Sequence, residues 1–131
     1  MPIRSKLALG LSLLIAVVIA VATMTPITAP ELPSFEHTDK IYHALAFAGL
    51  AFPVALFRSD WLILAIPVYA AFGGLIEIIQ PFVGRECSYV DWIADLIGLG
   101  LGIVVGLAVT VVAGVTRQFR LRSLRFRAEM R

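Results

Sequence analysis

Three pairs of polar residues interrupt otherwise apolar segments: Asp39 with His43, Glu77 with Gln80, and Asp91 with Asp95. Spacings of three or four residues put each pair on one helix face. Lys40, Arg85 and Ser88 accompany them in sequence. Such a set can do several kinds of chemistry. Glu77 or His43 can serve as a general base, and Arg85 can hold a phosphate through charge-assisted hydrogen bonds. Asp39 can orient the imidazole of His43. Carboxylates with one histidine can also bind Mg²⁺, Ca²⁺ or Zn²⁺. No His-Glu-x-x-His motif is present, however, so no metal and no cofactor is assigned. A nucleophile is hard to find, because Ser88 is placed to cap a helix and Cys87 has only Arg85 nearby to activate it. The plainest use of these charges is a structural ion-pair network, with Arg85 as counter-charge for Glu77, Asp91 or Asp95. Glu77 is expected to face the interior and pair with Arg85, His43 or Lys40. His37 receives no role.

The elements that carry these residues follow from composition. The chain has 131 residues, of which 60% are hydrophobic. Its mean hydropathy is +0.91. Water-soluble domains are about 45–50% apolar, so a soluble globule is excluded. Four apolar stretches stand out: Leu7–Met24, Ile41–Phe57, Trp61–Ile79 and Trp92–Val115. A spanning helix needs about 17–25 residues. The second stretch is the shortest, and Lys40 and Arg58 can extend it by snorkelling. The expected fold is all-α, a polytopic membrane protein with four transmembrane helices in one domain covering residues 1–131. The polar pairs then lie about 5–8 Å inside one membrane boundary. With a single cysteine, Cys87, no intramolecular disulfide or multi-cysteine zinc site can form.

Charge sets the expected orientation. With the N-terminus inside, Arg4, Lys6, Arg58 and the tail residues Arg117, Arg120, Arg122, Arg125, Arg127 and Arg131 are cytoplasmic, leaving Lys40 and Arg85 outside. That asymmetry favours both termini in the cytoplasm and the polar pairs at the extracytoplasmic face. Trp61 marks the inner boundary, and Tyr89 and Trp92 the outer one. The basic tail, residues 116–131, is expected to hold anionic lipid, extending the fourth helix or lying on the inner leaflet. It lacks the signature of a nucleic-acid-binding fold, so nucleic acid is not assigned as a partner. Met1–Lys6 with Ala20-Val21-Ala22 has some features of a cleaved signal, but Leu7–Met24 is longer than an ordinary signal core.

Local signals support the boundaries. Pro26, Pro30 and Pro33 keep the first loop extended, and Pro81 ends the third helix. Ser88-x-x-Asp91 reads as the capping box of the fourth. Pro53 and Pro67 fall inside spans and should kink them, with neighbouring groups satisfying the freed carbonyls. Gly98, Gly102 and Gly106 recur every four residues and let another backbone approach. That backbone can belong to this chain or to a second copy in a homodimer.

Asp39-Lys40-x-x-His43-x-x-x-Phe47 resembles the first motif of the VanZ-like membrane proteins. Glu77-x-x-Gln80-x-Phe82-x-Gly84-Arg85-x-x-Ser88-x-x-Asp91 resembles the second, and Gly98 and Gly102 fit its glycine-rich helix. The likeness covers residues 39–102. Asp95 departs from it, because the family commonly has Asn there; the aspartate adds a negative charge to the site. The resemblance implies a multi-pass protein of the bacterial cell membrane, connected with teicoplanin-type glycopeptide resistance. The activity it implies is open between binding or shielding envelope ligands and a membrane enzyme acting on a lipid-linked or phosphorylated substrate. Asp39, Lys40, His43, Glu77, Gln80, Arg85, Ser88, Asp91 and Asp95 are the candidate site residues, with Glu77 and His43 the catalytic candidates.

Overall fold

A computed structural model describes residues 1–25 and 38–130. Within them the chain forms four α-helices and no strand: α1 (Ile3–Met24), α2 (Thr38–Phe57), α3 (Leu62–Ile79) and α4 (Tyr89–Glu129). Short 3₁₀ turns at Ser59–Trp61 and Gln80–Val83 lead into and out of α3. All four helices are long and apolar enough to cross a membrane. Between 17% and 39% of each span is buried within the chain. The remaining apolar side chains, Leu13, Leu14, Ile63, Leu64 and Val111 among them, point outward. In water such a surface would aggregate; in lipid it is the expected exterior. The expected stretches therefore form: the first two gain residues at their N-terminal ends, the third starts one residue later because Trp61 belongs to the 3₁₀ turn, and the fourth is extended at both ends. The proline loop at Pro26, Pro30 and Pro33, and His37 and Arg131, lie outside the described residues.

The bundle is organised around α2, which packs most extensively on α4 and next on α1. Glycine makes the α2–α4 contact close. A Cβ on Gly98 would strike the Ala44 carbonyl, one on Gly102 the Ala48 carbonyl, and one on Gly106 would lie 2.6 Å from the Ala55 methyl. This uses the glycine stripe within the chain, so a second copy would have to dock on another face. The α1–α2 contact uses a different device. Ser5, Ala8, Ser12 and Ile19 form the buried stripe of α1, and the Ser12 hydroxyl donates to the Leu50 carbonyl at 3.3 Å. Leu50 lies three residues before Pro53, in the turn where the proline removes a backbone donor. Phe47, Leu50, Ala51, Ile76, Leu99 and Ile19 make up the apolar core.

At the end of the bundle remote from the polar pairs, Arg58 closes the α2–α3 turn. Its guanidinium bonds both carboxylate oxygens of Asp60 and the Ser5 hydroxyl. It also stacks over the Trp61 ring, 4.1 Å from the centroid. The cation–π contact adds to the ion pair because the indole face is electron-rich.

No break separates α4 from the basic tail. Its 41 residues form one helix, about 60 Å long at 1.5 Å per residue. A membrane core is about 30 Å thick, so half of α4 extends beyond it. Of the two forms expected for the tail, an extension of the fourth helix is the one adopted. Arg117, Arg120, Arg122 and Arg125 lie on its exposed surface.

Candidate functional site

The start of α2, the end of α3 and the start of α4 meet at one end of the bundle, and the polar pairs gather there. Asp39, Lys40 and His43 come from the first two turns of α2. Glu77 ends the buried face of α3, and Gln80 opens the 3₁₀ turn that follows. Gly84 then takes φ +78°, the left-handed conformation that favours glycine. This bend lets the Arg85 N–H bond the Gln80 carbonyl at 3.1 Å and turns the chain back toward α4. Ser88 caps α4, its hydroxyl accepting the Asp91 N–H at 3.3 Å. The Ser88 half of the expected capping box is therefore realised and its oxygen is engaged; the return bond from Asp91 is replaced, because the Ser88 N–H goes to Glu77.

His43, Glu77, Gln80, Asp91 and Asp95 are all buried, with Asp95 fully so. His43 Nδ1 lies 2.9 Å from Asp95 Oδ1. This bond joins α2 to α4 across 52 residues. Glu77 Oε2 accepts the Ser88 backbone N–H at 2.9 Å. The other oxygen of each carboxylate is buried without a hydrogen-bond donor: Glu77 Oε1 and Asp95 Oδ2 share this state with Asp91 Oδ1. Lys40 Nζ approaches Asp91 Oδ1 to 4.0 Å, an ion pair longer than a hydrogen bond. Donor atoms of His43, Glu77 and Asp95 all lie within 4.8 Å of one another, as do those of Asp39, His43 and Asp91.

Gly73 makes room for this arrangement. It lies one turn before Glu77 on α3, and a Cβ there would sit 2.8 Å from Asp95 Oδ2 and 3.2 Å from the Phe47 ring. Trp92 fixes α4 against α3 by donating its indole N–H to the Ala70 carbonyl at 3.0 Å. Neither residue was legible as part of the site. Gly73 lies in an apolar run without a motif, and Trp92 carried the signal of an interfacial aromatic.

Two expected pairings are replaced. Arg85 forms no ion pair with Glu77, Asp91 or Asp95; at this end of the bundle Lys40 pairs with Asp91 and His43 with Asp95. The turn at Gly84 delivers the Ser88 N–H to Glu77 instead, so a backbone donor takes the place foreseen for the guanidinium. Asp39 does not orient the imidazole through a hydrogen bond. It is exposed on the outer turn of α2, whereas His43 faces α4 and bonds Asp95. Glu77 does face the interior, as expected.

An apolar cleft lies elsewhere. It has a volume of about 470 Å³ and runs between α1 and α3, lined by Leu9, Leu13, Ala16, Leu64, Val68 and Phe72. Its walls suit a hydrocarbon chain rather than polar chemistry. Cys87, the one thiol, is exposed on the loop before Ser88. In comparisons with protein-family models, curated proteins and solved structures, no match to this chain was found.

Proposed function

We propose that this is a multi-pass protein of the bacterial cell membrane, of the VanZ-like type, with both termini in the cytoplasm and the polar site at the extracytoplasmic end. Its role in this reading is to engage an anionic envelope ligand there and contribute to teicoplanin-type glycopeptide resistance. Four spans and the distribution of Lys and Arg support the topology. The observation that carries the functional reading is the convergence of His43, Glu77, Asp91 and Asp95 from three helices into one buried cluster with unused oxygens. A purely structural network would consume its acceptors, because a buried polar atom without a partner costs stability. Lys40 and Arg85, both partly exposed, stand near this cluster in sequence or space and supply positive charge for an anion.

One observation favours the enzymatic alternative. The Asp95 carboxylate holds the His43 ring by one nitrogen, the arrangement that orients an imidazole as a general base. On that reading the substrate is lipid-linked or phosphorylated and enters from the outer face.

The test is expression in a teicoplanin-susceptible bacterium, with membrane levels of wild type and Glu77→Gln matched by immunoblot. The wild type should raise the teicoplanin concentration needed to stop growth, and Glu77→Gln should not. No change with wild-type protein present in the membrane would refute the resistance role.

A further inference from the structure

We infer that His43, Glu77 and Asp95 hold one divalent transition-metal cation between α2, α3 and α4. The inference rests on reading the cluster as a binding site, and not on the resistance phenotype.

Charge is the first argument. Glu77 and Asp95 bring two carboxylates into an apolar bundle, and among the described residues the titratable group close to both that can carry positive charge is the His43 imidazole. Asp91 has Lys40 at 4.0 Å; among the described residues Glu77 and Asp95 have no lysine or arginine ion-pair partner. Two carboxylates and a neutral imidazole around a dication sum to zero charge, which removes most of the cost of burying them. The unused oxygens are the second argument. Glu77 Oε1 and Asp95 Oδ2 belong to side chains at least nine-tenths buried, yet have no donor. Metal ligation is a use for a lone pair that needs no hydrogen. Geometry is the third. Ligands at about 2.1 Å from a metal lie about 3–4.2 Å from one another. The three donor atoms already lie within 4.8 Å of one another; the 2.9 Å His43–Asp95 contact is a hydrogen bond through Oδ1, and a cation held by His43 Nδ1 would take the place of its proton. Gly73 keeps the space beside Asp95 Oδ2 free of a side chain.

The donor set selects the ion. One imidazole with two carboxylates suits Zn²⁺ or Mn²⁺, whereas Mg²⁺ and Ca²⁺ prefer oxygen alone. Three protein ligands leave a coordination position open, the pattern of sites that bind a further group. A bound cation therefore reconciles an acidic floor with an anionic ligand, because it turns a repulsive site into a neutral one. The overlapping set of Asp39, His43 and Asp91 is the poorer choice, since Asp39 is exposed and Asp91 already faces Lys40.

The experiment uses the full chain purified in detergent, stripped with EDTA, and titrated calorimetrically with ZnCl₂, MnCl₂, MgCl₂ and CaCl₂. One equivalent of Zn²⁺ or Mn²⁺ per chain is expected, with Mg²⁺ and Ca²⁺ weaker. Loss of a ligand should weaken binding at least as much as loss of a supporting group, about 10–100-fold. Glu77→Gln and His43→Ala should show this, and Asp60→Asn at the other end should not. A second readout needs no variant: Zn²⁺ or Mn²⁺ should raise the wild-type melting temperature, and EDTA should reverse the rise. Absence of both binding and stabilisation would overturn the proposal and leave protons to neutralise the cluster. Binding that survives in folded Glu77→Gln and His43→Ala would overturn it equally, as adsorption elsewhere. Metal binding without resistance refutes the envelope role alone, and resistance without metal binding refutes the cation alone.

Discussion

Gly98→Ala tests how tightly the α2–α4 packing holds the site together. A methyl carbon on Gly98 would lie 2.9 Å from both the carbonyl carbon and the Cα of Ala44, and closer still to the oxygen. Carbon atoms pack best at about 3.5–4.0 Å, so the helices must separate by about 1 Å. Every obstructing atom is backbone, and no rotamer change can relieve the clash. Overpacking of this kind costs about 1–3 kcal/mol. Alanine also gains about 1 kcal/mol of helix propensity over glycine, which would mask part of the loss. Gly100→Ala removes that ambiguity. Gly100 lies two residues on in the same helix, and a Cβ there meets nothing within 4 Å. The difference between the two variants is therefore steric, expected at about 1–3 kcal/mol. His43 precedes Ala44, and Asp95 lies three residues before Gly98, so separating the helices should also stretch the 2.9 Å bond between them. Unfolding of both variants in mixed micelles, followed by circular dichroism, measures the difference. Equal stability of Gly98→Ala and Gly100→Ala would refute the close crossing.

Glu77→Ala strands the Ser88 N–H at the start of α4 and should lower stability by about 1–3 kcal/mol, whereas Glu77→Gln keeps an acceptor and should lose less in the same unfolding assay. Trp92→Phe removes the indole bond to Ala70 and should cost about 0.6 kcal/mol, the average for hydrogen bonds between membrane helices, and no more than about 1.7 kcal/mol. Reporter fusions should place Val115 on the cytoplasmic side and residues 25–35 outside; the opposite result would move the polar site to the inner face. A peptide of residues 117–131 should bind anionic vesicles at low salt and release as salt rises, since its arginines act through screened electrostatics; co-sedimentation reads this directly.

Much of the architecture was legible because the bilayer imposes a simple rule. Backbone groups in hydrocarbon must bond within their own segment, so the number of long apolar runs sets the number of helices. The Ser88 cap and the inward face of Glu77 were legible for similar local reasons: a cap acts over three residues, and a carboxylate is too costly to present to lipid. Pairings across the bundle were not. Sequence proximity favoured Asp39 for His43 and Arg85 for Glu77, but hydrogen bonds depend on where helix faces meet. The fold gave His43 to Asp95, 52 residues away, and Glu77 to a backbone N–H. Gly73 shows the same limit, because a glycine matters to a carboxylate on another helix only once the two helices are packed. The glycine stripe of α4 is the intermediate case. Its spacing predicted a close backbone contact, since i and i+4 share a helix face, but a stripe carries no address for its partner. Only the packing of α2 against α4 decided that the backbone it receives is its own chain's.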